Sequence, residues 1–403
     1  MRTEDLYQII LEIDDNWSVT SIKLDALQEE VNVFISYNKS KATDPSTKEE
    51  CSLYDHREER SWRHLDTMQY KTHIKCCIPR VKNSLGKVNT IPVPWADKLN
   101  RFSYLLEKKI IDLLQATKNQ TKTALLLRVS FIQVNRVLYN AVERGLARRK
   151  NIGEVRHICM DEKSFKRGHE YVTVLSSPET GAVLNVSHGR KIVSAKKVIN
   201  DTFNEEQKLN IETASTDMLP AYINTVKEEL PGAKLCHDKF HLVKYLNEAV
   251  DIVRRKETKT QEELRHSRYI WLKDRANLTE KQRLKFEAIN NVNYETARAW
   301  RIKENFRDIT FNQPPQEAFI LFSRWCTDAL NSQIPQIIKV ADMFNRHMVG
   351  IVNAMALNKG NAMAERLNGK IQEIKVSAKG YRTFENFRAA ILFYHGKLYL
   401  YPQ

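Results

Sequence analysis

Asp161, Asp217 and Glu365 are the residues from which chemistry is expected. Asp161 closes the apolar run Val155–Asp161, VRHICMD, and is followed by EKSFKRG; Asp217 follows IETAST; Glu365 lies in NAMAERLNGKIQEIK. Hard divalent cations take carboxylate oxygens as ligands. Two such ions ~3.5–4 Å apart activate the attacking oxygen and stabilise the leaving oxygen in phosphodiester chemistry. Each residue alone has an ordinary explanation. A strand often ends on a polar residue. On a helix, Met363, Leu367, Ile371 and Ile374 form one stripe, with Glu365 on the far side where a solvated glutamate belongs. As a set drawn from distant segments, the three make a candidate cage for metal ions. Asp238, which follows AKLCH, is the alternative second carboxylate, with His241 three residues on.

The bulk composition fits this chemistry. The chain has 403 residues, room for two to four domains, with 42% hydrophobic and 28% charged residues. Its 64 basic and 49 acidic residues leave a net charge of +15, which points to a polyanionic partner, most often nucleic acid. Cys51, Cys76, Cys77, Cys159, Cys236 and Cys326 form no C-x-x-C pair, and reduced thiols in a cytosolic protein are expected. MRTEDLYQIILEIDDNW lacks the basic and unbroken apolar regions of a signal peptide. No apolar run approaches the ~18 residues of a membrane span.

Stepping along the chain, VTSIKLD and EVNVFISY alternate as a strand pair should, and a turn-rich stretch ending in Pro-Val-Pro-Trp completes a small β-rich module over residues 1–98. Cys51, His56, His64, His73, Cys76 and Cys77 lack the paired spacing of a structural zinc site, so they read as ordinary core and surface residues. Residues 99–150 turn helical. FSYLLEKKIIDLLQ has helical spacing. Thr121–Arg128 is expected as one helix, Val129-Ser130 as a turn with Ser130 as N-cap, and Phe131–Arg144 as a second helix stopped by Gly145. Two short helices joined in this way fit a helix-turn-helix. Gln115–Lys150 holds eight basic residues against one acidic. Lys122, Arg128, Gln133, Asn135, Arg136, Asn140 and Arg144 are therefore candidate DNA contacts, the alternative being a helical hairpin with a solvated basic face.

From residue 151 the grammar changes to strands. VRHICMD, EYVTVLSS and AVLNVSH, then helix SAKKVINDTFNEE, strand NIETAST, helix MLPAYINTVKEEL, strand AKLCHD and helix FHLVKYLNEAVDIVRR give the order βββαβαβα. That order suits an RNase H-like core over residues 151–253. It departs from the strict alternation of a Rossmann fold, and no Gly-rich phosphate loop is present. Residues 254–350 carry Trp271, Trp300 and Trp325 and no convincing strand; they read as an all-helical insertion with a break near Gln313-Pro314-Pro315. Residues 351–403 return to the core and carry Glu365. The fold class is thus α/β multidomain.

Long segments resemble one known family. MDEKSFKRGHEYVTV, STDMLPAYI, LPGAKLCHDKFHLVKYLNEAVDIVRR and NAMAERLNGKIQEIKVSAKGYRTFENFRAAIL are similar to the transposases of bacterial insertion sequences of the ISL-three family. YDHREERSWRHLDTMQYKTHI, IPRVK and IPVPWA resemble that family's N-terminal region. The resemblance implies a DDE transposase that binds the inverted repeats of its element, cuts DNA strands with Mg²⁺ or Mn²⁺ and joins 3′-hydroxyl ends to target DNA. It implies Asp161, Asp217 and Glu365 as the metal-holding catalytic carboxylates, and Asp238 and His241 as a D-x-x-H element beside them. It further implies double-stranded DNA as partner, a homodimer or higher oligomer on DNA, no membrane, and a bacterial cytoplasmic, nucleoid-associated location. One departure stands out. Where the family commonly carries a zinc-ribbon-like C-P-x-C-G module, this chain has Asp44-Pro45-Ser46-Thr47-Lys48, with Asn83 near the place of a later cysteine. Only Cys51 remains, so zinc is not expected. The rival expectations are a catalytically silent DNA-binding regulator and a structure-selective nuclease that cuts without joining.

Overall fold

A computed structural model of the chain describes residues 2–149, 151–166, 168–273, 275–290, 293–311, 314–357 and 362–402. It has a mixed α/β architecture divided into two compact units, Met1–Arg148 with Tyr399–Gln403, and Arg149–Leu398.

The first unit opens with a helix, Thr3–Ile10, packed on the first strand, and then turns to β structure, as the alternating runs require. Trp17–Asp25, Glu30–Tyr37, Lys71–Cys76 and Arg60–Arg63 form one four-stranded sheet in that order. Lys41–Thr43, Glu50–His56, Pro79–Lys82 and Val88–Thr90 form a second. Trp17, Trp62 and Trp95 are buried, with ring centroids 5.1 and 5.5 Å apart in edge-to-face contacts. Helix Tyr104–Thr117 follows, capped by Ser103, whose hydroxyl accepts from the Leu106 N–H.

The two shorter helices differ in detail from the sequence expectation. The first spans Gln120–Leu126, because the Asn119 side chain caps it one residue early by accepting from the Lys122 N–H. Arg128 falls outside it in the left-handed region, φ 53°. The second runs Phe131–Ala147 rather than stopping at Gly145. Gly145 is buried inside the helix, where it serves close packing rather than a left-handed stop. Ser130 is the N-cap as expected, in a reciprocal capping box with Gln133.

The second unit is built on a five-stranded sheet in the order Ala182–His188, Glu170–Ser177, His157–Lys166, Thr213–Thr216, Lys234–His237. The first two pairings are antiparallel and the last two parallel. Helices Ile192–Asn200 and Pro220–Glu229 share one apolar core with this sheet, through Ile158, Met160, Val198, Ile199, Tyr222 and Val226. The single helix expected over SAKKVINDTFNEE is two, since Asn204 starts a new capping box and opens the short helix Glu205–Leu209. Helix Phe384–His395 lies along Ala182–His188, and its Arg388 donates to the Asn185 side-chain oxygen at 3.0 Å.

Asp161 is not at a strand end. Its strand continues to Lys166, because the antiparallel partner Glu170–Ser177 keeps pairing beyond it. What ends at Met160 is the parallel pairing with Thr213–Thr216.

The described residues between 254 and 350 form helices joined by turns and short 3-10 segments, with no strand among them, and helix Lys239–Glu257 runs unbroken across their start. Leu242, Leu246 and Val250 of that helix join one apolar core with Trp271, Trp300, Trp325, Phe306, Phe322 and Phe344. At the expected break, helix Glu295–Phe311 ends and a 3-10 turn, Pro315–Glu317, begins; Gln313 lies outside the described residues. Helix Met348–Ala356 covers the outer strand of the sheet, with the Asn353 amide donating to the Leu235 carbonyl at 3.0 Å. Its Gly350 is required there: a Cβ would stand 2.5 Å from the ring of His237.

Candidate active site

Register brings the aspartates together. Met160 pairs with Thr216, and Thr216 pairs with His237, in three adjacent parallel strands. The residue after each is an aspartate: Asp161, Asp217 and Asp238. Neighbouring strands lie about 4.8 Å apart, so the three carboxylates emerge side by side at the C-terminal ends of the parallel pairings. Met160 turns into the apolar core. The period of two then sends Asp161 to the opposite face.

Asp161, Asp217, Asp238 and His241 line one cavity of about 1090 Å³. The Asp161 carboxylate accepts from the Glu162 N–H at 2.7 Å and from the Asn368 side-chain amide. Asp217 begins the turn into helix Pro220–Glu229 and accepts from the Leu219 N–H at 3.1 Å. Burial pushes the Asp217 carboxyl above its ordinary range, with the nearby Asp161 and Glu162 acting in the same direction, against the Leu219 N–H and His241. Asp238 is the N-cap of helix Lys239–Glu257, accepting from the Phe240 N–H at 2.9 Å, and lies 3.2 Å from the His241 ring nitrogen. That contact raises the His241 pKa against the opposing effect of burial. Lys163 and Arg307 bring positive charge to the same cavity.

Glu365 is on helix Ala362–Ser377, and its side chain lies outside the described residues. Leu367, Ile371 and Ile374 of that helix are buried, the stripe expected from their spacing. Among the described residues no group of three or more histidine, cysteine or acidic side chains is arranged to hold a metal ion. The donor set is nevertheless suited to a hard cation: oxygen ligands on neighbouring strands, with no thiolate among the cavity's residues.

Asn368 is the site residue that sequence reasoning missed. It follows Glu365 by three positions in the sequence, and that helical spacing was the available signal.

The seven candidate DNA contacts divide into two groups. Lys122, Arg136 and Asn140 are exposed, and Asn135 is half-buried. Arg136 and Asn140, four residues apart, share the outward face with Ile132. The others are engaged within the first unit. Arg128 pairs with Asp66 and with Glu29 at 3.6 Å. The Gln133 side-chain oxygen accepts from the Ser130 N–H at 2.9 Å. Arg144 pairs with the buried Glu107 and donates to the Leu400 carbonyl at 2.6 Å.

The zinc-ribbon-like position is filled by hydrogen bonds. Asp44 is fully buried, and its carboxylate accepts from the Ser46 and Thr47 N–H groups and from the Asn89 amide at 2.8 Å. Asn83 accepts from the Leu85 and Lys87 N–H groups in a second turn. A carboxylate and an amide so committed do not fit a thiolate-rich zinc centre.

Comparison with known proteins adds the remaining finding. Residues 158–391 match the sequence model of a transposase family, the DDE transposases of the ISL-three type. The transposase for insertion sequence element IS1557 of Mycobacterium tuberculosis is 25% identical over 352 residues, covering 80% of this chain and 79% of its own length. The transposase for insertion sequence element IS1001 of Bordetella parapertussis is 25% identical over 301 residues, 73% of each chain.

Proposed function

Because the chain belongs to the ISL-three family of insertion-sequence transposases, we propose that it binds the terminal inverted repeats of its element, cleaves DNA strands there and joins the 3′-hydroxyl ends to target DNA. The observation that carries this reading is that Asp161 and Asp217 directly follow Met160 and Thr216, the last paired residues of adjacent parallel strands, and line one cavity. The sheet order, three antiparallel strands followed by two parallel ones, supports reading the second unit as an RNase H-like core. Asp161, Asp217 and Glu365 are the carboxylates assigned to catalysis. Asp217 is preferred to Asp238 as the second, because Asp238 is committed to capping its helix and to His241. Asn368 orients the Asp161 carboxylate. The three carboxylates would hold Mg²⁺ or Mn²⁺, and the bound ion supplies Lewis acidity to the attacking and leaving oxygens. The helices Gln120–Leu126 and Phe131–Ala147 serve as a helix-turn-helix on the end DNA, and the protein acts as a homodimer or higher oligomer there.

The test is Mg²⁺-dependent cleavage of end DNA by Asp161→Asn, Asp217→Asn, Asp238→Asn and Glu365→Gln. Carboxylates of one cage act as a unit, so Asp161→Asn, Asp217→Asn and Glu365→Gln each lose roughly three orders of magnitude or more, with end binding kept. Near-parental cleavage by Asp161→Asn or Glu365→Gln refutes the assignment. Near-parental cleavage by Asp217→Asn with Asp238→Asn inactive moves the second carboxylate to Asp238.

A further inference from the structure

The carboxylate cavity has an aromatic wall that hydrolysis alone does not require. Phe240, in the first turn of helix Lys239–Glu257, and Phe311, at the end of helix Glu295–Phe311, both line it. They are 38% and 39% exposed, and their ring centroids are 5.7 Å apart with the planes tilted by 52°. Neither belongs to the apolar core that the same two helices share, which takes Phe306, Ile309 and Leu242 instead. The Lys239 ammonium stands 5.6 Å from the Phe311 ring centroid. Leaving two phenylalanine side chains more than a third exposed beside three aspartates forgoes part of the gain of burying them. The arrangement makes sense when a flat apolar ligand completes it.

DNA offers such a ligand only when a base leaves the helix stack. In duplex the base faces are covered by their neighbours, and an unpaired base can stack on an aromatic side chain irrespective of sequence. Resting on the transposase reading above, we infer that Phe240 and Phe311 receive one unpaired nucleobase next to the phosphodiester bound at the carboxylates. The substrate class is therefore DNA that is locally unpaired at the cleavage position, with Lys163 and Lys244 of the same cavity bringing positive charge toward its phosphates. The two aromatics position the strand. The cutting chemistry remains with the carboxylates.

The experiment measures cleavage of end DNA by the full-length protein with Mn²⁺ on two sets of substrates. One set is fully paired. The other carries a single abasic nucleotide at each position within three nucleotides of the cleaved bond. The variants are Phe240→Ala, Phe311→Ala and the volume-keeping Phe240→Leu, each checked for parental thermal unfolding. On paired DNA the alanine variants are expected to cleave about 5- to 160-fold more slowly, the range that loss of one base–aromatic stack implies. Phe240→Leu should resemble Phe240→Ala, because an aliphatic side chain fills space without a stacking face. At one abasic position the parent should fall to the rate of the alanine variants and the difference should vanish. The same deficit at every abasic position, or full activity of Phe240→Leu, overturns the inference and leaves the transposase reading intact. Absence of cleavage by the parent on every substrate removes both.

Discussion

At the scale of single residues, the neighbouring aspartates are alike in type and unlike in environment. Asp161 and Asp217 accept backbone hydrogen bonds but cap no helix of their own, whereas Asp238 begins one. Asparagine caps a helix about as well as aspartate, and alanine does not. Asp238→Ala should therefore lower the stability of the second unit by about 1 kcal/mol while Asp238→Asn stays near parental, as read by denaturant midpoints. Equal losses in the two variants would show that the cap contributes nothing. A second residue-scale expectation concerns His64, buried in the first unit with its ring nitrogen 2.8 Å from the Ser103 hydroxyl. Burial, with Arg63 adding to it, lowers its pKa to about 4 from an ordinary 6.5. The depressed value means the unfolded chain takes the proton first. The contribution is thus present above about pH 6.5 and lost as pH falls through about 4. His64→Gln, which does not titrate, should flatten the pH dependence of unfolding of the first unit between those limits. An unchanged slope would remove His64 as its source.

At the scale of elements, the helix Phe131–Ala147 presents two faces with different duties. Val134, Val137, Leu138 and Ala141 are buried, and Arg144 is drawn inward to Glu107. Arg136 and Asn140 remain on the outward face. If this helix reads base edges, Arg136→Ala and Asn140→Ala should each weaken specific end binding by about 1–3 kcal/mol without changing stability. Arg144→Ala should behave in the opposite way. It leaves the Glu107 carboxylate buried without its arginine, at a cost of about 3–5 kcal/mol in folding. Binding isotherms at two salt concentrations and thermal unfolding of the same variants separate the two outcomes. Loss of end specificity in Arg144→Ala at parental stability would reverse the assignment.

At the scale of the whole molecule, the helical segment after residue 254 is part of the second unit's packing rather than an appendage to it. Helix Lys239–Glu257 starts at Asp238 and buries Leu242, Leu246 and Val250 in the same core as Trp271, Trp300 and Trp325. Helix Met348–Ala356 closes the outer edge of the sheet. Trp325→Ala should therefore cost about 3–5 kcal/mol and weaken hydrogen-exchange protection in helix Lys239–Glu257 as well as around residue 325. Excision of residues 258–347 should give a chain that no longer unfolds cooperatively, and a cooperative, soluble excised protein would show that the segment is dispensable to the fold.

Much of this was legible in the sequence because it is local. The hairpin around Gly181, the helix starting at Ser130 and the strand TAST before Asp217 each follow from periodicity and turn chemistry within about ten residues. Asp161 and Asp217 could be named because each closes or follows a short strand-like run, whereas Glu365 read as an ordinary helix residue until the family resemblance tied the three into a set. Their meeting was not legible. Strand order and register depend on pairings between segments some 55 residues apart, and no property of VRHICMD alone says that Met160 lies level with Thr216. The continuation of the Asp161 strand to Lys166 was decided the same way, by a partner strand that goes on pairing. Asn368 and the phenylalanine pair belong to this second class. An asparagine on a helix and a phenylalanine at a helix end are ordinary residues until the fold turns them toward one cavity. Side-chain type and spacing thus set which elements form and what chemistry they offer. The tertiary structure decided which of those groups share a site, because only long-range pairing and packing fix distances between segments remote in sequence.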